Sequence, residues 1–98
     1  KLISFRGNSL DDLRQFPLDA RREAGYQIDR VQNGLEPSDW KSMNSGVKEI
    51  RIREADGAFR VIYLAKLADA VHVLHCFHKK TEKTTEADIE LARSDSGL

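Results

Sequence analysis

Hydrophobic positions along this chain follow two periods, and the change from one to the other falls near the middle. Leu2-Ile3-Ser4-Phe5 is a short strand candidate that Gly7-Asn8 closes. Ser9 then stands where a helix N-cap belongs, with Asp11 and Asp12 in the first turn facing the positive helix end. Leu10, Leu13 and Phe16 form a helical stripe that ends at Pro17. A longer helix is predicted from Leu18 to Gln32, because Ala24, Ile28 and Val31 recur at the spacing of a buried helical face. Asn33-Gly34 closes it, since either residue tolerates a left-handed cap, and Leu35 just beyond is placed to pack back. Gly25 inside this helix carries an intrinsic cost of about 1 kcal/mol against alanine. Close packing of the two helices is the expected reason for it.

From Leu35 to Gly46 the chain reads as a loop containing Glu36-Pro37-Ser38-Asp39 and Trp40. The period then becomes two. In Val47-Lys48-Glu49-Ile50-Arg51-Ile52-Arg53, the apolar Ile50 and Ile52 alternate with Arg51 and Arg53. Asp56-Gly57 is a tight-turn signal leading into a second strand, Phe59 to Ala65. Ala68-Asp69-Ala70 turns the chain again, and Val71 to Phe77 reads as a third strand. Thr85-Glu86-Ala87-Asp88 resembles a capping box opening a last helix to about Arg93. The predicted class is α+β in the order β-α-α-β-β-β-α, an antiparallel sheet packed on two N-terminal helices. One domain spans residues 1–98.

Length and charge sharpen this picture. With 98 residues, 40% of them hydrophobic and 33% charged, the chain excludes a multi-domain enzyme. Its core is thin, since a domain this small buries only roughly 60–65% of its unfolded surface. The formal net charge is zero, which taken alone argues against a nucleic-acid partner. The distribution argues otherwise. Residues 1–40 hold six basic and seven acidic side chains (−1), residues 41–83 nine and five (+4), and residues 84–98 one and four (−3). The excess of positive charge therefore falls on the predicted strands. A single cysteine, Cys76, forms no intrachain disulfide. No apolar run approaches the roughly 20 residues that span a bilayer, and no secretory h-region opens the chain. The expectation is a cytoplasmic protein away from the membrane.

Three constellations bear chemistry. Arg51 and Arg53 leave one face of a strand, and Arg60 lies just past the turn on the adjacent strand. A short hairpin brings such guanidiniums within reach of one phosphate or of neighbouring phosphates. The alternative is an exposed sheet face whose arginines pair with Glu49 and Glu54. Next, His78-Lys79-Lys80-Thr81-Glu82-Lys83 concentrates cations ahead of a capped helix, where backbone N–H groups also attract anions. The alternative there is an ordinary solvated loop. Finally, His72, His75 and His78 are spaced by three, which on a helix would suggest a metal site. Their apolar neighbours indicate a strand, on which His75 points opposite to His72 and His78, so no three-histidine metal centre is expected. His75 or His78 as general acid or base competes with a satisfied structural histidine. Cys76 reads as a buried, inert thiol. Trp40 and Tyr63 either stack on a base or belong to the core. Gly-rich phosphate loops, paired catalytic carboxylates and a Ser-His-Asp arrangement are not visible.

The segments REAGYQIDRVQNG, WK, GVKEIRIRE, FRVIYLAK and VLHCFHKKTEKTTEADIELA together resemble the HigB-like, phage-derived branch of the RelE/ParE toxin superfamily. The resemblance covers Phe5 to Ala92 and implies a RelE-like fold in the order derived above. It further implies the toxin of a type II toxin–antitoxin pair that cleaves mRNA in the ribosomal A site and so inhibits translation. The implied reaction is attack by a ribose 2′-hydroxyl on the adjacent phosphate, giving a cyclic phosphate and a free 5′-hydroxyl, with no metal and no cofactor. By position in the family's motifs, Arg60 would stabilise the phosphorane, and Arg51 and Arg53 would orient the RNA backbone. Lys79 and Lys80 would supply charge or proton transfer, with His75 and His78 as further proton-transfer candidates. Lys48 and Lys83 would add phosphate contacts. The implied partners are a HigA-like helix-turn-helix antitoxin, the ribosome with its mRNA, and operator DNA through the antitoxin complex. The stretch from Trp40 to Val47 is shorter than the resemblance leads one to expect, and the family tends to be more basic. Two other readings compete: a ParE-like gyrase inhibitor with the same fold, and a non-catalytic RNA-binding module resembling a double-stranded RNA-binding domain.

Overall fold

A computed structural model describes residues 1–55, 57–65 and 70–79. They run in the order β1 (Leu2–Phe5), α1 (Ser9–Arg14), α2 (Leu18–Gln32), β2 (Trp40–Ser42), β3 (Val47–Glu54), β4 (Gly57–Leu64) and β5 (Ala70–Lys79). The expected turn at Ala68-Asp69 and the expected helix from Thr85 lie outside the described residues.

The strands form one sheet in the order β1-β5-β4-β3-β2. Strands β2 to β5 pair antiparallel, whereas β1 lies parallel to β5, with Leu2 opposite Ala70 and Phe5 opposite Val73. The sheet is therefore mixed, where the hydrophobic pattern predicted an antiparallel one. The reason is topological. Helices α1 and α2 carry the chain from β1 to the far edge, and the meander then returns β5 alongside β1 in the same direction.

Strand β2 occupies part of the stretch expected to be a loop. Its three residues carry no alternation of their own and take their order from β3, where Trp40 faces Ile50 and Lys41 faces Glu49. A tight turn joins the two strands: the Met43 N–H donates to the Val47 carbonyl at 2.8 Å, and Val47 N–H to the Asn44 carbonyl at 3.1 Å. Ser45 and Gly46 both take positive φ there (61° and 80°). A compact hairpin thus closes the short Trp40–Val47 stretch. The preceding loop is fixed by Gln27, buried in α2, whose Oε1 accepts the Ser38 N–H at 2.8 Å.

One apolar face of the sheet is covered by the helices. Leu13, Phe16, Ala20, Ala24, Ile28 and Val31 pack with Ile50, Ile52, Phe59, Val61 and Val73 in one core. Helix α2 ends as expected: Gly34 (φ 80°) donates to the Val31 carbonyl and Leu35 to the Arg30 carbonyl, the paired bonds of a left-handed cap. Three local expectations need correction. Asn8, not Ser9, is the residue preceding α1, and its side chain makes no capping bond. Ser9 is instead buried, its Oγ donating to the Val73 carbonyl at 3.2 Å. Leu35 stays half exposed rather than packing back. Gly25 faces open space, since a Cβ there would meet nothing within 4 Å. The small residues that let α2 approach the sheet are Ala20 and Ala24, both fully buried.

Candidate functional site

The β3–β4 hairpin sets the site, because its register decides which side chains share a face. Glu54 pairs with Gly57, leaving two residues in the connection, and this places Arg51 directly opposite Arg60. Gly57 has φ +130°, and a Cβ there would lie 2.6 Å from His78 Nε2. The backbone conformation therefore favours glycine at that point, and any side chain there would displace the His78 ring.

Three successive rungs run across the face away from the helices. Lys41, Glu49, Ile62 and His75 form the first; Arg51, Arg60 and Phe77 the second; Arg53, Ala58 and Lys79 the third. Of the predicted site residues, Arg51, Arg53, Arg60, His75 and Lys79 thus come together on one face. His78 pairs with Phe59 and stacks on its ring at 4.6 Å, which places it on the helix-side face. Lys48 is on that face too, opposite Tyr63, with its Nζ 3.5 Å from Glu36 Oε1 and 4.6 Å above the Trp40 ring. Lys80 and Lys83 lie outside the described residues.

The histidine geometry differs from the regular-strand expectation. Ile62 pairs with His75 but Tyr63 pairs with Val73, so Leu74 is an extra residue in β5. This β-bulge reverses the alternation. His72, opposite Leu64, and His75, opposite Ile62, consequently share a face, while His78 takes the other. His75 is buried and stacked on Phe77 at 5.0 Å. Among the described residues, no three His, Cys, Asp or Glu side chains converge as metal ligands would.

Electrostatics centre on Glu49, which is only 1% exposed. Its Oε1 lies 3.6 Å from the Nε of Arg51 and 3.6 Å from the Nε of Arg60. Arg60 is itself buried, and its Nη1 donates to the Phe59 carbonyl at 3.0 Å. Burial lowers the Arg60 pKa, opposed by Glu49 and reinforced by Arg51 and Arg53; a guanidinium nevertheless stays charged at neutral pH. The Lys79 pKa is lowered by desolvation and then by Arg60, with Glu49 opposing. The second and third rungs therefore carry a cation cluster, in which Arg60 is buried, Arg51 and Lys79 are partly exposed and Arg53 is exposed. Glu49 pairs with two of the arginines, as the alternative reading held, but inside the protein and not on an exposed face. Glu54 sits opposite Gly57 on the other face.

The remaining candidates are placed plainly. Cys76 is buried and its thiol is pushed up to about 12, chiefly by desolvation, so it is chemically inert. Tyr63 is a core residue whose hydroxyl burial also pushes up to about 12. Trp40 is partly exposed on the edge strand. No helix among the described residues is long and apolar enough to cross a membrane.

Comparison with known proteins bears on both fold and family. The chain is similar to a free-state structure of an arginine-to-alanine double mutant of the E. coli toxin RelE. The two share 12% sequence identity and a TM-score of 0.63, over 98% of this chain and 93% of that one. At that identity the likeness establishes the fold, which is that of RelE. No curated protein sequence matches significantly. Residues 11–96 match the family described as Phage derived protein Gp49-like (DUF891). That match takes in α1 from Asp11 on, all of α2 and strands β2 to β5, and the chain belongs to this Gp49-like family.

Proposed function

We propose that this protein is the toxin of a type II toxin–antitoxin pair and acts as a ribosome-dependent mRNA endonuclease. The observation that carries the reading is the gathering of Arg51, Arg53, Arg60 and Lys79 on one sheet face, with Arg60 the buried member. Attack of a 2′-hydroxyl on the neighbouring phosphate gathers negative charge on a phosphorane, and fixed cations in a partly dry site stabilise that charge most. Arg51 and Arg53 hold the RNA backbone, and Arg60 supplies charge beneath the reacting phosphate. Lys79, a member of this cluster with a lowered pKa, serves as the proton carrier. The reaction needs no metal. In this reading His75, buried beside Phe77, shapes the floor of the site, and Lys80 and Lys83 extend its charge.

The partners follow from the same reading: a HigA-like helix-turn-helix antitoxin, the ribosome and mRNA in the cytoplasm, and operator DNA through the antitoxin. The test is expression without antitoxin, followed by mapping of mRNA 5′ ends on ribosomes. New 5′-hydroxyl ends within translated codons are expected. Growth arrest with intact mRNA and accumulating DNA breaks would contradict the nuclease and favour a gyrase inhibitor.

A further inference from the structure

We infer that Glu49 is a positioning residue of this site: its buried carboxylate locks Arg60, and with it Arg51, into the orientation that a phosphate meets. The inference rests on the nuclease reading above and assigns a role within it. The register makes Arg51 and Arg60 direct cross-strand neighbours, an arrangement in which like charges repel. One oxygen of Glu49 sits 3.6 Å from the Nε of each. It lies one rung away, 1% exposed, on the same face. Arg60 is then held by one hydrogen bond, from Nη1 to the Phe59 carbonyl, and by the charge of the Glu49 carboxylate, which lies 3.6 Å from Nε without a hydrogen bond to it. Together the two restrict the plane of the guanidinium. Among the described residues no carboxylate pairs with Arg53, which is exposed on the third rung opposite Ala58.

A positioning role and a plain charge role predict opposite signs. Glu49→Gln removes one negative charge at nearly constant volume, so electrostatics alone would tighten RNA binding and speed capture. Loss of orientation would instead slow the chemical step, by about 10- to 100-fold for a misplaced group. The experiment measures RNA dissociation constants and single-turnover cleavage on programmed ribosomes for wild type and Glu49→Gln. In parallel, NMR follows the arginine Nε–Hε groups of the antitoxin-free protein. Expected are equal or tighter RNA binding, cleavage slowed at least about tenfold, and faster Hε exchange at Arg60 in the variant. In wild type, Arg60 Hε should exchange at least about tenfold more slowly than Arg53 Hε, as a held and buried group does. Should Glu49→Gln not fold, Glu49→Asp, which keeps the charge but shortens its reach, takes its place: faster Arg60 Hε exchange and slower cleavage than in wild type are expected, and unchanged values would overturn the inference. Cleavage at the wild-type rate, or Arg60 exchanging as fast as Arg53, would overturn the inference. A wild-type protein that cuts no mRNA would overturn the nuclease reading, and the NMR comparison would still decide whether Glu49 holds Arg60.

Discussion

The two faces of the β3–β4 hairpin are built from the same strands, yet they are held by different physics. Toward the helices, Ile50, Ile52, Phe59 and Val61 bury apolar surface, a contribution that depends on shape and volume. Away from them, Val47, Ile62 and Leu64 make a smaller apolar cluster, and beside it Glu49 and Arg60 bury charge, which is stable only because opposite charges meet. A strand with period two lets each face be chosen independently. The first face makes the fold, and the second carries the chemistry the protein is proposed to perform.

The comparison breaks most sharply at neighbouring residues of opposite face. Ile52→Ala should cost about 2–5 kcal/mol of stability, as core truncations do, visible as a large drop in denaturant midpoint. Arg53→Ala, next along the strand but exposed, should stay within about 0.5 kcal/mol while weakening RNA binding. Equal stability losses at the two positions would contradict the division of faces. Gly57→Ala tests the turn that sets the register: a Cβ meets His78 Nε2 and the backbone sits at φ +130°. A loss of about 1–3 kcal/mol is expected, measured by thermal unfolding; no loss would show that the turn adapts. The smallest effect separates two lysines of the β2–β3 hairpin. Lys41, on the rung of Glu49, should reduce the salt dependence of RNA binding by about one unit when changed to Gln. Lys48→Gln should leave it unchanged, because Lys48 is engaged with Glu36 and Trp40 on the other face. The reverse ranking would move the RNA path to the edge near Trp40.

What the sequence made legible follows the same division. Helix α2, the three long strands and the class of fold were readable because periodic burial writes itself into the order of residues. Strand β2 was not, since three residues without alternation owe their order to a partner strand. The bulge at Leu74 left no compositional mark, and it alone changed the relation of His72 to His75. The arginine set was readable as a cluster but Lys48 was misplaced, because the face of a residue depends on a register that its type does not reveal. Glu49 looked like an exposed counter-ion. A signal for its burial existed: a two-residue connection puts Arg51 opposite Arg60, two cations so placed require an anion, and Glu49 is the acid on that face of β3.

The central claim is that the sheet face away from α1 and α2, through Arg60, stabilises the reacting phosphate. The most direct test is mRNA cleavage on programmed ribosomes by Arg60→Ala protein whose folding is verified by retained antitoxin binding. A fall in the cleavage rate of at least about 100-fold is predicted, together with loss of growth arrest on expression. A folded Arg60→Ala protein that cleaves at the wild-type rate would contradict it.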